Sequence, residues 1–461
     1  MSRAEISKTI PAWFWDLSSA KLELLNFSYN QIYGVLPDLT SKLSSHSVVD
    51  LSSNNLEGPL PLLSPCILKL ILFQNSFLGS LESLCNSRDF MFLKYLDVSD
   101  NFLTGKFPDC FQHIGSSLYI LNLANNILSG SIFPVNPECQ LESLNLRNNN
   151  FDGGFRQSFR SCRGLQVIDL EKSKLSGSVP AWIGDNWPSL VVLSLRSNEL
   201  YGEIPSSICH MTQLQILDLS LNKINGTIPK CVNNLTTMAQ EQGLTAINTI
   251  NSYGMTTPNG HDLWWKQDES AIIMWKGLEY KSTLGLVKTI DLSRNHLTGE
   301  IPNEIASLVG LVLQNLSRNF IAGSIPPQIG QLHLLDFLDL FGNKLSGVIP
   351  MSLSHLTYIG VLNLSYNNLS GRITSSTQLQ SFDVSAYKGN SGLCGRPPVT
   401  DTCPGDEVIL NPEKIRHHDE EDTLITTGFY ISLGLGFAFG FWGTSGSLLF
   451  KKSWRLAFFK V

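Results

Sequence analysis

Charge is scarce in this chain. Only 16% of its 461 residues are Asp, Glu, Lys or Arg, and 33 basic against 39 acidic side chains leave a net charge of −6. No long basic run exists, which excludes nucleic acid as the main partner. Metal-ligand spacing of the C-x-x-C kind is also missing, so no zinc site is expected. No motif around any Ser, Cys or His marks a nucleophile, and the carboxylates lie scattered, so the chain does not read as an enzyme and no cofactor is expected. Nine Cys in so long a chain do not make a small disulfide scaffold. The length itself exceeds what one hydrophobic core supports, which leaves several domains or an elongated repeat. Thirty-six Gly and twenty-one Pro would suit a linker, but Leu and Asn recur too regularly for disorder.

What is present is a repeat. The segment LKYLDVSDNFLTGKFP (93–108) returns as LQVIDLEKSKLSGSVP (165–180), LVVLSLRSNELYGEIP (190–205), LQILDLSLNKINGTIP (214–229), VKTIDLSRNHLTGEIP (287–302) and LDFLDLFGNKLSGVIP (335–350). Anchored on the residue four before the Gly, thirteen units appear: Asn30, Asn54, Asn75, Asn101, Asn126, Asn149, Ser173, Asn198, Asn222, then Asn295, Asn319, Asn343 and Asn367. Within each run they lie 21 to 26 residues apart, most often 24. In L-x-x-L-x-L the alternating Leu point inward from a short strand. The Asn side chain is suited to satisfy backbone groups of the turn, repeat after repeat. Gly follows at a tight bend, and Ile-Pro opens an irregular convex segment. One unit cannot bury its own Leu face, so neighbours must stack into a parallel sheet along a curved solenoid. Ser173 is the single departure from the Asn ladder, expected to make a weaker version of the same bond.

The consensus L-x-x-L-x-L-x-x-N-x-L-x-G-x-I-P resembles the plant-specific class of extracellular leucine-rich repeats. The G-x-[aliphatic or Phe]-P ending occurs in nine of the thirteen units. The 73 residues between Asn222 and Asn295 have room for two further repeats, but residues 234–285 carry no Leu ladder. They hold TTMAQEQ, NSYGMTTPNGHDLWW and AIIMWKGLEYKS instead, and four repeats follow. An island before the last four repeats, with a W-K-G-x-E-Y-like stretch at Trp275 to Tyr280, resembles the kinase-less plant receptor-like proteins of immunity and development.

Stacked coils bring equivalent positions of adjacent repeats together, so Cys85 with Cys110, Cys139 with Cys162 and Cys209 with Cys231 are candidate disulfides. Cys394 and Cys403 are close enough to seal the end of the core, the alternative being free thiols; Cys66 is left over. Residues 404–422 turn polar and acidic, with His417, His418, Asp419, Glu420, Glu421 and Asp422 together, and read as a solvated spacer rather than a metal site. Leu424 to Phe450 contains no charged residue, and Lys451, Lys452 and Arg455 follow at once. That pattern spans a bilayer, with the repeats outside and the C-terminus in the cytosol. Gly436 and Gly440 form G-x-x-x-G, a candidate face for pairing with another membrane helix.

The expected fold is thus an α/β repeat solenoid, a right-handed curved leucine-rich-repeat superhelix with a parallel concave sheet plus one C-terminal transmembrane helix. Repeats fill 1–233, the island 234–285, four repeats 286–373 and a Cys cap 374–403. A juxtamembrane spacer at 404–422, a membrane helix at 423–450 and a short cytoplasmic tail at 451–461 complete it.

Six N-x-[ST] sequons, at Asn26, Asn225, Asn234, Asn315, Asn363 and Asn368, fit a glycosylated ectodomain. Asn26, Asn315 and Asn363 fall between inward strand residues, so their side chains should project from the concave sheet. No strand between Val48 and Leu219 carries such a sequon, and that open stretch displays Lys94, Tyr95, Asp97, Tyr119, Arg147, Asp169, Glu171, Arg196 and Asp218. Exposed aromatics and Arg anchor interfaces, although any solvated sheet face is polar and mixed. Trp264, Trp265 and Trp275 of the island serve as its own small core or as a contact surface.

The resemblance implies a plasma-membrane receptor that binds an extracellular peptide, protein or glycan. It also implies an adaptor receptor-like kinase paired through the membrane helix, and a short-ectodomain co-receptor kinase docking on Val287 to Ile373. Family members usually start with a signal peptide and a Cys-containing cap; Met1 to Ala4 has no apolar region and TIPAWFWDLSS (9–19) already reads as the back half of a repeat. The expectation is an N-terminally truncated member. A non-signalling product or decoy is the alternative, and a pectinase-inhibitor-like scaffold is disfavoured by residues 424–450.

Overall fold

A computed structural model describes residues 1–16, 22–64, 67–85, 92–108, 110–111, 117–132, 138–155, 157–241, 252–256, 262–266, 270–275, 278–283, 287–373, 377–395 and 403. Cys66, the acidic spacer, the apolar segment with Gly436 and Gly440, and the basic tail lie outside the described residues. Among the described residues no helix is long and apolar enough to cross a membrane.

The L-x-x-L-x-L segments form one thirteen-stranded parallel sheet, from Leu22–Asn26 through Tyr95–Asp97 and Val192–Ser194 to Val361–Asn363, each strand pairing with its successor in the chain. Inward residues of every strand, Leu96, Leu121, Leu144, Ile168 and Leu193 among them, are buried in one continuous core. Each full burial of such a side chain contributes about 1.5–3 kcal/mol, so stability accumulates along the stack. In the nine units before the insertion, the residues that follow each ladder position form a second parallel sheet of nine strands, from Tyr33–Val35 to Lys223–Asn225.

The ladder itself works through bonds in two directions. Asn101 Nδ2 donates to the carbonyls of Val98 (3.2 Å) and Ser99 (2.9 Å) in its own turn and of Leu72 (3.0 Å) in the preceding unit. Its Oδ1 accepts from the N–H of Phe77 at 2.9 Å. Ser173 does not make a weaker version of this bond. Its Oγ is buried without a hydrogen-bond partner, because a hydroxyl on Cβ falls short of carbonyls that an amide reaches. The ladder also has a rung that the repeat spacing does not announce. Asn390 accepts from Leu369 N–H (3.0 Å) and donates to the carbonyls of Leu364 (3.0 Å) and Tyr387 (2.9 Å). The short strand Gly392–Cys394 then pairs with Asn368–Arg372 beside the Cys394–Cys403 disulfide.

On the opposite side of the core the Ile-Pro segments are regular rather than irregular. Pro205, Pro229, Pro302, Pro326 and Pro350 each directly precede a five-residue 3-10 helix: Ser206–His210, Lys230–Asn234, Asn303–Ser307, Pro327–Gln331 and Met351–His355. Few residues separate each Pro from the next inward Leu pair, and one tight i→i+3 turn is the helix that fits. Among the described residues the helical layer is therefore mostly 3-10. Disulfides join Cys85 with Cys110, Cys139 with Cys162 and Cys209 with Cys231, each between neighbouring units.

The gap between Asn222 and Asn295 does not interrupt the stack. Strand Ile216–Asp218 pairs directly with Thr289–Asp291. Asn295 donates to Leu219 O (2.9 Å) and accepts from Ile224 N–H (3.0 Å), as though the intervening chain were absent. Met238 fills the Leu position before the strand, and its carbonyl accepts from Gly310 N–H at 2.9 Å. Lys288 Nζ donates to the carbonyl of Gln240. A Cβ at Gly310 would collide with that same Gln240 carbonyl, so only Gly allows the approach. The chain between Gln240 and Lys288 is thus an insertion within one repeat. It contains two antiparallel hairpins, Ser252–Thr256 with Asp262–Lys266 and Ser270–Trp275 with Leu278–Thr283; Trp264, Trp265 and Trp275 lie on those strands.

One strand runs against the pattern. In Leu313–Asn315 the register Ile290↔Gln314↔Leu338 places Gln314 in the core, fully buried, with neither amide atom hydrogen-bonded. Leu313 takes the outward position that Thr289 holds one strand earlier. The outward position is apolar in the next strand as well, at Phe337, so the inward Gln314 alone breaks the pattern.

Candidate ligand-binding face

The outward residues of the long sheet form lateral rows, one side chain per strand. Strands about 4.8 Å apart leave little room between such side chains, so neighbours cover one another. Near the start of the row Lys69 Nζ lies 4.3 Å above the Tyr95 ring, and Lys94 Nζ lies 4.9 Å above that of Tyr119. Burial pushes Lys69 down to about 8, opposed in part by Asp50 and Asp97. Burial lowers Lys94 as well. Lys94, Tyr95 and Tyr119 stay half-exposed. They are the part of the sequence-derived set that solvent and a partner can reach.

The rest of that set is largely sealed. Asp97, Arg147, Asp169, Glu171 and Asp218 are buried, and Arg196 is half-buried. Arg147 Nη1 lies 3.3 Å from Glu171 Oε2, and Arg196 Nε lies 3.5 Å from Glu171 Oε1. Arg196 Nη1 donates to Ser220 Oγ (2.6 Å) and sits 3.8 Å from both Asp218 Oδ2 and Asp291 Oδ2. Asp218 and Asp291 are direct neighbours across the strand pair that closes over the insertion. Burial raises Asp218 to about 8, with the adjacent Asp291 reinforcing it and Arg196 opposing. Asp291 rises too, from burial, against the bonds from Ser293. Asp169 stands at about 6 and Asp97 above its ordinary range, both from burial first. Such a buried network holds neighbouring units in register. Among the described residues no group of three or more His, Cys, Asp or Glu could hold a metal ion.

The sequons divide by face. Asn26, Asn315 and Asn363 occupy outward positions of the long sheet, half-buried, with Oδ1 accepting from the N–H and Oγ of Ser28, Ser317 and Ser365 respectively. Asn225, Asn234 and Asn368 are exposed outside that sheet. Sequence reasoning missed a cavity of about 470 Å³ on the outward side of the last four strands, whose lining includes Arg294, Arg318, Phe341, Asp339 and Asn363. The paired S-R-N turns at Arg294 and Arg318 are the signal that could have found it.

The repeats match known proteins. A family profile described as Leucine rich repeat covers residues 139–200, and a second, Leucine Rich Repeat, covers 92–114, 213–235, 286–308 and 334–356. Over its whole length the chain is 45% identical to Receptor-like protein EIX2 and 44% identical to Receptor-like protein EIX1, both of Solanum lycopersicum, and covers 45% of each. The chain therefore spans less than half the length of these curated relatives. Among solved structures it resembles the ectodomain of the Arabidopsis receptor kinase HAESA in complex with an IDA peptide hormone. That likeness has a TM-score of 0.67 and 27% identity, over 88% of this chain and 62% of that one. It also resembles PEPR1 in complex with AtPEP1, with a TM-score of 0.56 and 25% identity, over 84% of this chain and 58% of that one. The chain carries leucine-rich repeats, and its close homologues are plant receptor-like proteins.

Proposed function

We propose that this chain serves as the ligand-binding and membrane-proximal part of a cell-surface receptor-like protein in plant defence that signals through partner kinases. The observation that carries the reading is its identity to two receptor-like proteins over its full length. The half-exposed Lys94, Tyr95 and Tyr119 supply cationic and aromatic anchors of the kind interfaces use. An extracellular peptide or protein is the favoured ligand, supported by the solved relative that holds a peptide hormone. A HAESA complex also includes the co-receptor SERK1, which supports docking of a short-ectodomain co-receptor kinase, here on Val287 to Ile373. The uncharged Leu424 to Phe450, with Gly436 and Gly440, would anchor the chain and pair with an adaptor receptor-like kinase. Exposed Asn225, Asn234 and Asn368 are the sequons that would carry glycans.

Expression of the tagged full chain in leaves, followed by immunoprecipitation from membranes, tests this reading. A receptor kinase should co-purify, and Gly436→Leu/Gly440→Leu should release it. Full chain at the cell surface with no kinase recovered would overturn the proposal.

A further inference from the structure

We propose that the cavity on the outward side of the last four strands binds the carboxylate of an acidic sugar, as in an oligouronide. Arg294 and Arg318 hold the same turn position one repeat apart, with left-handed φ of +54° and +56°. Both are exposed, and among the described residues neither lies within ion-pair distance of a carboxylate. Two guanidinium forks that line one cavity, neither of them ion-paired, are suited to a planar carboxylate. Arg318 is already placed, stacked 4.9 Å over the Phe341 ring, which meets Tyr366 edge-on at 5.4 Å.

The rest of the lining favours a hydroxyl-rich partner. Asn363 Nδ2 has no partner among the described residues, while its Oδ1 is fixed by Ser365. Asp339 accepts from Phe341 N–H at 2.9 Å, which leaves acceptor capacity facing the cavity. Phe341 offers an apolar surface to the C–H side of a ring. An extended peptide finds less here. The sheet's backbone groups are spent on the parallel ladder, so main-chain pairing is not available on this face. The volume, about 470 Å³, lies within the range of small-molecule sites.

Charge at the cavity depends on pH. Burial raises Asp339 to about 6, with Asp291 reinforcing it and Arg318 opposing. The charged groups around it are Asp291, Arg294 and Arg196 from preceding strands, with Asp218 sharing Arg196; the following strand offers Asn363. Below that value Asp339 is neutral and Arg318 faces a ligand anion without competition. Above it the carboxylate competes for Arg318.

The test is calorimetric titration of the full chain in detergent with trigalacturonate, its methyl ester, cellotriose and an acidic tripeptide. Trigalacturonate should bind at pH 5, at least tenfold more tightly than the ester or cellotriose, and should weaken at pH 7. Arg294→Gln/Arg318→Gln should lose at least tenfold with the melting temperature unchanged. Arg294→Lys/Arg318→Lys, which keeps the charge without the fork, should fall between. Equal binding of ester and acid, tighter binding of the tripeptide, or an unaffected double variant overturns the assignment. No kinase enters the assay, so failure here leaves the receptor reading standing.

Discussion

The nine units before the insertion and the four after it solve the same packing problem differently. The earlier spacings range from 21 to 26 residues, and three disulfides tie neighbouring units there. The later spacings are all 24, each of the first three units opens its helical side with Ile-Pro and one 3-10 turn, and the described residues show no disulfide between those units. Where the period is constant, equivalent side chains meet without help. Where it is longest, between Asn75 and Asn101, the Cys85–Cys110 disulfide ties the coils together. The sheet faces differ in the same sense. Arg147, Glu171 and Arg196 neutralise one another across the earlier strands, whereas Arg294 and Arg318 face solvent in the later ones.

The largest effect should come from breaking the earlier face. Glu171→Ala leaves the buried Arg147 and the half-buried Arg196 short of their shared anion and should cost about 3–5 kcal/mol. Urea unfolding measures it, and a loss below about 1 kcal/mol would show that the network is incidental. Next, Cys85→Ser/Cys110→Ser opens a link of sequence separation 25 between the units of Asn75 and Asn101, and should cost about 3 kcal/mol. If melting temperature is unchanged, the disulfides do not compensate for variable spacing. In the later units the expected sign reverses. Gln314→Leu removes an unpaired buried amide and should stabilise by about 2 kcal/mol. Hydrogen exchange should slow at the amides of 287–373.

The junction supplies a test that is read through pH. Asp218 and Asp291 hold protons in the folded state at a pH where the unfolded chain has lost them. Their contribution is therefore full below about pH 4 and declines as pH rises toward 8, by at most about 1.4 kcal/mol per pH unit for one proton. Asp218→Asn should flatten that slope. A profile identical to the parent's would show that the pair is not shared between the two blocks.

Much of this molecule is legible in its residues. The L-x-x-L-x-L period places all thirteen strands, because inward Leu and turn Asn have no other arrangement that satisfies both. Asn390 escaped because its unit lacks the Leu run, although it lies near the usual distance from Asn367. Burial of Arg147 and Glu171 escaped for a different reason. Alternation tells which face a side chain takes, but its cover comes from strands a repeat away, whose identity matters only after stacking. Gln314 was visible as a polar residue at an inward Leu position and carries no motif. The cavity depends on two arginines that sequence shows only as recurring turn residues.

The insertion has a mechanical consequence. Across it, the bonds of Asn295 to Leu219 and Ile224, and of Gly310 to Met238, tie one block to the other. Tension applied to the two ends of the repeat array would travel through those bonds and leave the hairpins slack. The excursion is therefore a detachable cassette on a closed scaffold, and its sequence can change without the repeats having to answer for it.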